Sequence, residues 1–223
     1  MPLQERGYSI ESIVLTSAEC DVLVNALANV PRTRGRAGAR HLMCHPSVAR
    51  LANDERLLSI AANVLGQKAA SITATLFEKS EQSNWLIPWH QDTALPMAVK
   101  FQENGWGPWS RKDGVMYAHA PAQALHRVVA LRIHLDASDS DNGPLRVVPG
   151  SHSFGVMTDH TVHQFVRDHD PVECIVPRGG VLVMRPLIIH ASSKAQSSRP
   201  RRVLHIVYAN SLDLGSGIRL QVA

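Results

Sequence analysis

The stretch Val128-Val129-Ala130-Leu131-Arg132-Ile133-His134-Leu135-Asp136 decides the fold class, because its apolar residues alternate with Arg132, His134 and Asp136. A period of two is typical of a β-strand that packs one face against a core. Outward from it, Ser71–Lys79 shows the same alternation. Shorter strands are predicted at Leu145–Val148, Val172–Val176, Val181–Met184, Leu187–His190 and Val203–Ala209.

Turn sequences separate these strands, at Asp141-Asn142-Gly143-Pro144, Pro149-Gly150 and Arg178-Gly179-Gly180. Helices do not alternate with the strands as they would in a parallel βαβ sheet. Many short strands at regular spacing favour an antiparallel barrel or jelly roll. The pattern therefore predicts a mainly β protein.

Residues 1–66 differ from the rest, because their apolar residues recur at helical spacing. Thr16-Ser17-Ala18-Glu19 resembles a capping box and predicts a helix running to about Val30. A second helix is predicted from Ser47 to Leu65, with Gly66 ending it. We expect this helical part to pack on the barrel.

The segment from Thr93 to Leu125 is rich in Gly, Pro and Trp, and only Gly114–Ala118 is strand-like. A long irregular connection in a compact domain is usually a functional loop or lid. We expect it to cover an active site, with side chains that could line the substrate pocket. The candidates are Trp106, Trp109, Tyr117 and His119. The alternative is that these aromatic residues only pack the loop onto the barrel.

Length and composition are those of one globular domain, with 223 residues of which 44% are hydrophobic and 19% charged. The longest apolar stretch, Val181–Ile189, is interrupted by Arg185 and Pro186, which argues against a membrane span. The first residues contain no apolar core of a secretion signal. Three scattered cysteines are typical of reduced thiols in a cytoplasmic protein. No oligomeric state is predicted.

The net charge is a modest +4, and arginines concentrate in Arg32–Arg40 and Arg199–Arg202. A nucleic-acid-binding protein usually adds interleaved aromatic residues or a reading motif. Only 5% of this chain is aromatic and no such motif is evident, so nucleic acid is not the expected partner. The Arg32–Arg40 cluster could receive an anionic group of a small substrate, or it could be a solvated basic loop.

The pair His90–Asp92 has the spacing of a metal site, because side chains two residues apart on a strand project from the same face. A third ligand must come from another strand, and His190 is expected at the end of one. Two imidazoles and one carboxylate form the facial triad of non-haem Fe(II) oxygenases. Arg201 follows His190 by eleven residues, at the start of another strand.

These motifs resemble the phytanoyl-CoA dioxygenase family of Fe(II)/2-oxoglutarate oxygenases. The matching pieces occur in the family's order, from about Ser71 to Ala209. They are Trp89-His90-Gln91-Asp92, Asp141-Asn142-Gly143-Pro144-Leu145-Arg146-Val147-Val148-Pro149-Gly150-Ser151-His152, His190-Ala191-Ser192 and Arg201-Arg202-Val203.

The resemblance implies a double-stranded β-helix in which His90, Asp92 and His190 bind iron. It also implies that Arg201 pairs with the distal carboxylate of 2-oxoglutarate, a role that a forked guanidinium suits. Arg202 should point to the opposite face of the strand.

Three further residues are candidates for the same cosubstrate pocket. Ser192 keeps a hydroxyl that could donate to the carboxylate, while Lys79 and Thr75 share a face of their predicted strand. For Lys79, a solvated strand end is an equal alternative. Arg132 could face the barrel interior and touch substrate.

The resemblance thus predicts a dioxygenase that uses Fe(II), 2-oxoglutarate and O2 to hydroxylate a small organic metabolite, releasing succinate and carbon dioxide. Because Asp92 is present, hydroxylation or a related oxidation is favoured over halogenation, in which family members have a small residue there. Two alternatives stay open. One is a metal-binding barrel without oxidative turnover, and the other is a redox-neutral metal enzyme, for which Arg201 would have no use.

Overall fold

The computed structural model describes residues 3–31, 38–66, 68–81 and 83–223. Its helices are α1 (Leu3–Arg6), α2 (Ser17–Leu27), α3 (Pro46–Ala52), α4 (Glu55–Leu65), α5 (Ala122–Leu125) and α6 (Asp159–Arg167). Its strands are β1 (Tyr8–Glu11), β2 (Ala70–Lys79), β3 (Ile87–His90), β4 (Ala94–Met97), β5 (Trp109–Lys112), β6 (Val115–His119), β7 (Val128–His134), β8 (Leu145–Val147), β9 (Val172–Cys174), β10 (Val181–Met184), β11 (His190–Ser192), β12 (Arg201–Ala209), β13 (Asp213–Gly215) and β14 (Ile218–Arg219).

Two antiparallel sheets form the barrel. The larger has the order β1-β10-β7-β12-β2, and the smaller has the order β3-β11-β8-β9. Apolar side chains of both sheets pack in one cluster, for example Ala130 and Leu182 of the larger sheet with Leu145 and Cys174 of the smaller. The prediction of a mainly β jelly roll of the double-stranded β-helix type is confirmed.

The alternation along β7 separates two environments. Val129, Leu131 and Ile133 pack against the helical layer in the largest hydrophobic cluster. Arg132 and His134 lie on the other face, buried inside the barrel. Burial of each large aliphatic side chain contributes roughly 1.5–3 kcal/mol, so the outer face secures the helices while the inner face is left for polar residues.

The predicted helices are present with different bounds. Thr16 and Glu19 form the predicted capping box, and α2 ends at Leu27 rather than near Val30. The second helix is in fact two, α3 and α4. Asp54 causes the break because its side chain accepts a hydrogen bond from the Arg56 amide and caps a new helix. Gly66 ends α4 in the left-handed conformation, as predicted.

Strand β1 was not predicted, because it lies in the segment expected to be helical. It adds to the edge of the larger sheet, where Tyr8 pairs with Met184 and Glu11 with Val181. A four-residue strand has too short an alternation to be recognised without its partner.

Residues 93–125 are not the irregular connection that was predicted. They contain the three-stranded antiparallel sheet β4-β6-β5 and the short helix α5. Leu95, Met97 and Ala118 pack with Leu125 and Val128 in a second hydrophobic cluster. Strand β4 was not predicted because Pro96 argues against a strand. A proline is tolerated there because β4 is at the edge of its sheet.

The strand expected at Leu187–His190 is displaced, because β11 begins at His190 instead of ending there. Leu187, Ile188 and Ile189 are buried but precede the strand, and Ile188 donates its amide to the carbonyl of Arg185 in a turn. The turn follows from Pro186, which provides no amide for a ladder.

Residues 32–37 of the predicted arginine cluster lie outside the described residues. Within the described ranges, no helix combines the length and apolar character that a bilayer crossing requires.

Candidate metal centre and active site

The smaller sheet brings the three predicted metal ligands together. His90 ends β3 and is directly opposite His190, the first residue of β11. Asp92 follows two residues after His90, and its amide donates to the carbonyl of Pro186 at 2.9 Å. The Nε2 atoms of His90 and His190 lie 3.7 Å and 3.6 Å from the Asp92 carboxylate oxygens. In the described part of the chain, one cluster could hold a metal ion, and it consists of these three residues.

Both imidazoles are oriented by backbone carbonyls. Nδ1 of His90 lies 2.8 Å from the Pro88 oxygen, and Nδ1 of His190 lies 2.9 Å from the Ile188 oxygen. A carbonyl can only accept, so Nδ1 carries the proton in both rings. Nε2 is therefore the ring atom left to bind a metal in both residues, and this is the tautomer a metal ligand needs.

The electrostatics of the cluster suit a cation. Burial lowers the pKa of His190 and the adjacent His90 lowers it further, so this ring is neutral. For Asp92, burial opposes ionisation, but the imidazoles of His190 and His90 outweigh it and hold the carboxyl pKa well below its usual range. Neutral imidazoles and an ionised carboxylate are the forms that bind metal.

Gln91 supports this turn from the other face, a role that sequence reasoning missed. Its side-chain amide donates to the carbonyls of Gly155 and Leu187 and accepts from the Met157 amide. All three partners of the Gln91 side chain are backbone groups. The side chain therefore fixes the end of β3 relative to the segment that precedes β11. The position between two ligands was the only indication in the sequence.

Beside the metal cluster lies an inner basic pocket, which we define by Lys79, Arg132, His134, Ser192 and Arg201. These side chains come from four strands, and each is at most 5% exposed. Lys79 and Arg201 are directly opposite each other on β2 and β12. The solvated strand end considered for Lys79 is wrong.

Ser192 connects the parts of this pocket. The Lys79 ammonium donates to Ser192 Oγ at 2.8 Å and also to the Ser193 carbonyl. Ser192 Oγ donates to the carbonyl of Gly143 at 2.8 Å and lies 3.4 Å from Arg201 Nη2. Gly143 has a φ of +68°, and a Cβ there would lie 2.5 Å from the Ser193 oxygen. Only glycine allows this approach.

The pocket contains unpaired donors and no carboxylate. Nε and Nη1 of Arg201 and Nε of Arg132 are buried without a hydrogen-bond partner among the described residues. No Asp or Glu is among the buried charged residues of the described ranges. Unpaired buried cations are costly, so this pocket requires an anion.

The pKa shifts reflect the same shortage of negative charge. Burial, with the nearby Arg201 and Arg132, lowers the pKa of Lys79 to about 7. Burial and Arg132 lower the pKa of Arg201 to about 9. A bound dianion would oppose both shifts.

Arg202 points to the opposite strand face, as predicted, where it forms a bidentate pair with Asp136 at 2.7 Å and 2.9 Å. It is therefore not available to the barrel interior.

A cavity of 380 Å³, which we call the outer cavity, borders the metal ligands His90 and Asp92. Its polar lining includes Arg40, Thr73, Thr75, His90, Asp92, Thr93, Lys112, Tyr117, His119 and His205. Thr75 lines this cavity and is not among the residues that define the inner basic pocket, and its predicted role in cosubstrate binding stays a prediction. Arg40 belongs to the Arg32–Arg40 cluster that the sequence offered as a site for an anionic group, whereas Lys112 was not singled out.

The other predicted substrate residues are divided. His119 lies on the outer cavity, with Nδ1 2.6 Å from Thr93 Oγ1. Arg132 borders a smaller cavity of 210 Å³ together with all three candidate ligands. Trp106 and Trp109 line neither of these cavities; they line a separate cavity of 520 Å³ that contains none of the candidate metal ligands. The two Trp rings pack edge-on against Phe101, at centroid distances of 5.2 Å and 5.1 Å, so they serve the packing of the β4-β6-β5 sheet.

Residues 4–203 match the family model described as phytanoyl-CoA dioxygenase (PhyH). The chain belongs to the phytanoyl-CoA dioxygenase family. The chain is similar to two curated proteins. L-proline trans-4-hydroxylase of Streptomyces griseoviridis is 27% identical over 186 residues, and ectoine dioxygenase of Halomonas elongata is 25% identical over 182 residues. Each match covers 72% of this chain, but only 62% and 48% of the relatives' lengths.

Solved structures show the same fold. EctD from S. alaskensis, crystallised with 2-oxoglutarate and 5-hydroxyectoine, matches with a TM-score of 0.70 at 20% identity, over 93% of this chain and 73% of that chain. EctD has also been solved with bound Fe.

Proposed function

We propose that this protein is an Fe(II)- and 2-oxoglutarate-dependent dioxygenase that hydroxylates a small organic molecule, with succinate and carbon dioxide as coproducts. The observation that carries the proposal is the buried guanidinium of Arg201 beside the His90–Asp92–His190 cluster, because its Nε and Nη1 have no hydrogen-bond partner and no buried carboxylate accompanies it among the described residues. A redox-neutral metal enzyme would have no use for such a guanidinium.

His90, Asp92 and His190 would hold the iron. Two nitrogen donors and one oxygen donor on one face form the facial triad typical of non-haem Fe(II) and leave positions open. When bound, Fe(II) with 2-oxoglutarate and O2 supplies the oxidising chemistry. Asp92 occupies the carboxylate position, which favours hydroxylation over halogenation.

Arg201 would bind the distal carboxylate of 2-oxoglutarate through charge-assisted hydrogen bonds from its guanidinium, whose Nε and Nη1 have no partner among the described residues. Lys79 and Ser192 lie beside it and would supply further donors once the Ser192 hydroxyl turns from Gly143. The pocket's positive charge matches a dianion, which is the chemical class of this cosubstrate.

The chain's remaining task is positioning and exclusion of water. Thr93, Tyr117 and His119 of the β4-β6-β5 region form part of the outer cavity wall, so this region would cover the substrate. Two relatives named for hydroxylation or dioxygenation of small molecules support this class of reaction. That the substrate is a small organic molecule is part of the proposal. So is a cytoplasmic location of the protein, with which its three free cysteines are consistent.

The test is anaerobic addition of Fe(II) and 2-oxoglutarate to the purified protein. We expect a weak visible charge-transfer band that titrates with cosubstrate, followed by succinate formation when O2 is admitted. Asp92→Ala should remove the band through loss of metal, as verified by metal analysis. A wild-type protein that binds Fe(II) but shows no band at saturating 2-oxoglutarate would be a metal-binding barrel without oxidative turnover, and our proposal would be wrong.

A further inference from the structure

The outer cavity has one basic side, which we call the cationic wall and define by Arg40 and Lys112. Both residues line the cavity that also contains the candidate iron ligands His90 and Asp92. Neither belongs to the inner basic pocket, and the proposed function assigns them no role.

Lys112 lacks a counter-ion. Its side chain is only partly exposed, and its ammonium lies over the ring of Tyr117, 4.7 Å from the centroid. No hydrogen bond or ion pair holds it within the described ranges. The Tyr117 hydroxyl lies 3.0 Å from His41 Nε2. Burial and the nearby Arg40 both lower the pKa of Lys112, and the Asp92 carboxylate of the metal cluster opposes them without reversing the shift.

Among the described residues, the one ion-pair partner of Arg40 is distant. The Arg40 Nη1 atom lies 3.9 Å from Asp113 Oδ2, with side chains 36% and 45% exposed. This separation is too long for a hydrogen bond, and such exposed pairs contribute about 0–1 kcal/mol. Arg40, Lys112 and Asp113 together carry one net positive charge, and the other carboxylate that acts on Lys112 is Asp92, which belongs to the candidate metal cluster.

We propose that Arg40 and Lys112 bind the carboxylate of a small organic acid and thereby hold a carbon of that molecule beside the metal centre. The inference rests on the proposed function and names its substrate class. The single excess charge matches a monoanion better than a doubly charged phosphate ester. A cavity of 380 Å³ is at the small end of ligand sites, which suits a metabolite of amino-acid size.

Binding can be measured on the metal-free protein, independently of turnover. We would use saturation-transfer NMR with a panel of small amino and hydroxy monocarboxylic acids, L-proline among them. Each acid is paired with its carboxamide, and phosphoethanolamine serves as the phosphate probe. We expect at least one acid to bind, and to bind at least tenfold more tightly than its carboxamide and than phosphoethanolamine.

Lys112→Gln and Arg40→Gln should each weaken that acid at least tenfold. Arg111→Gln is the matched control, because Arg111 precedes Lys112 on β5 and does not line the cavity. It should leave binding unchanged, and Lys112→Arg should retain most of it. Thermal unfolding of each variant checks that the fold is intact.

The 2-oxoglutarate charge-transfer band separates this inference from the proposed function. If the band is absent in the wild type, the proposed function fails. If the band is present and unchanged in Lys112→Gln, but no acid binds more tightly than its carboxamide, the carboxylate site is wrong while the dioxygenase assignment stands. Equal weakening by Arg111→Gln, or tighter binding of phosphoethanolamine, would also overturn it.

Discussion

The inner basic pocket and the cationic wall both present positive charge to the metal centre, but they differ in solvation. Lys79, Arg132 and Arg201 are at most 5% exposed, whereas Arg40 is 36% exposed and keeps a distant carboxylate. A buried cation without a partner carries its full desolvation cost, while water can satisfy an exposed one. We therefore expect the inner basic pocket to require one bound anion. The cationic wall is partly solvated, so we expect it to accept different ligands after small rearrangements.

The largest expected effect comes from Arg201→Ala. Removing one partner of a buried, hydrogen-bonded charge pair costs about 2–5 kcal/mol, which corresponds to a weakening of roughly 30-fold to several thousand-fold. The dissociation constant of 2-oxoglutarate, measured by titration of the anaerobic band, should rise accordingly, while Fe(II) affinity is unchanged.

Arg202→Ala is the matched control, because Arg202 faces Asp136 on the other side of the same strand. It should leave 2-oxoglutarate affinity within about twofold, because its guanidinium is held by Asp136 on the opposite strand face and shares no partner with Arg201. Equal loss of iron and cosubstrate in Arg201→Ala would show that Arg201 supports the metal ligands, and the distinction between the two regions would not hold.

A smaller effect is expected on the pH dependence of 2-oxoglutarate binding. Lys79 has a pKa of about 7 in the unliganded pocket, and a bound dianion favours its charged form, so binding takes up a proton above that pH. Affinity should fall by up to about tenfold per pH unit above 7. Calorimetry in buffers of different ionisation enthalpy measures the proton uptake.

Lys79→Met should abolish this uptake, and Lys194→Met, an exposed lysine, should not. The same shift affects stability. Unfolded Lys79 holds its proton up to its ordinary pKa of 10.5, so the unliganded fold gains stability as pH rises from about 7 toward 10.5. A pH profile identical in wild type and Lys79→Met would place Lys79 outside the cosubstrate site.

The smallest effect on catalysis is expected for Trp106→Ala. Trp106 packs edge-on against Phe101 and lines neither cavity that contains the candidate metal ligands. The free energy of unfolding should therefore fall by about 1–3 kcal/mol, less than for a fully buried Trp, while 2-oxoglutarate affinity is unchanged. His119→Ala, which removes a residue of the outer cavity, should instead lower kcat/KM. If Trp106→Ala lost activity without losing stability, Trp106 would contact substrate, as the sequence predicted, and its assignment to packing would be wrong.

Local periodicity and motif order were sufficient for the barrel, the capping box of α2 and the strand face shared by Lys79 and Thr75. They were insufficient wherever a partner decides the structure. β1 exists because the edge of β10 accepts it, and β4 exists because β6 pairs with it despite Pro96. The break at Asp54 reflects a competition between capping and helix continuation that periodicity does not resolve.

The sequence by itself determined the chemical types of the site: two imidazoles, a carboxylate, an arginine and a serine at spacings that strands can bring to one face. Tertiary structure alone decided which residues share a compartment. It placed Lys79 with Ser192 and Arg201, moved Thr75 to the outer cavity, and brought Arg40 and Lys112 to one wall. The physical reason is that the alternation of side chains along a strand shows which residues share a face of that strand. Which pocket a residue lines depends instead on contacts between strands that are far apart in the chain.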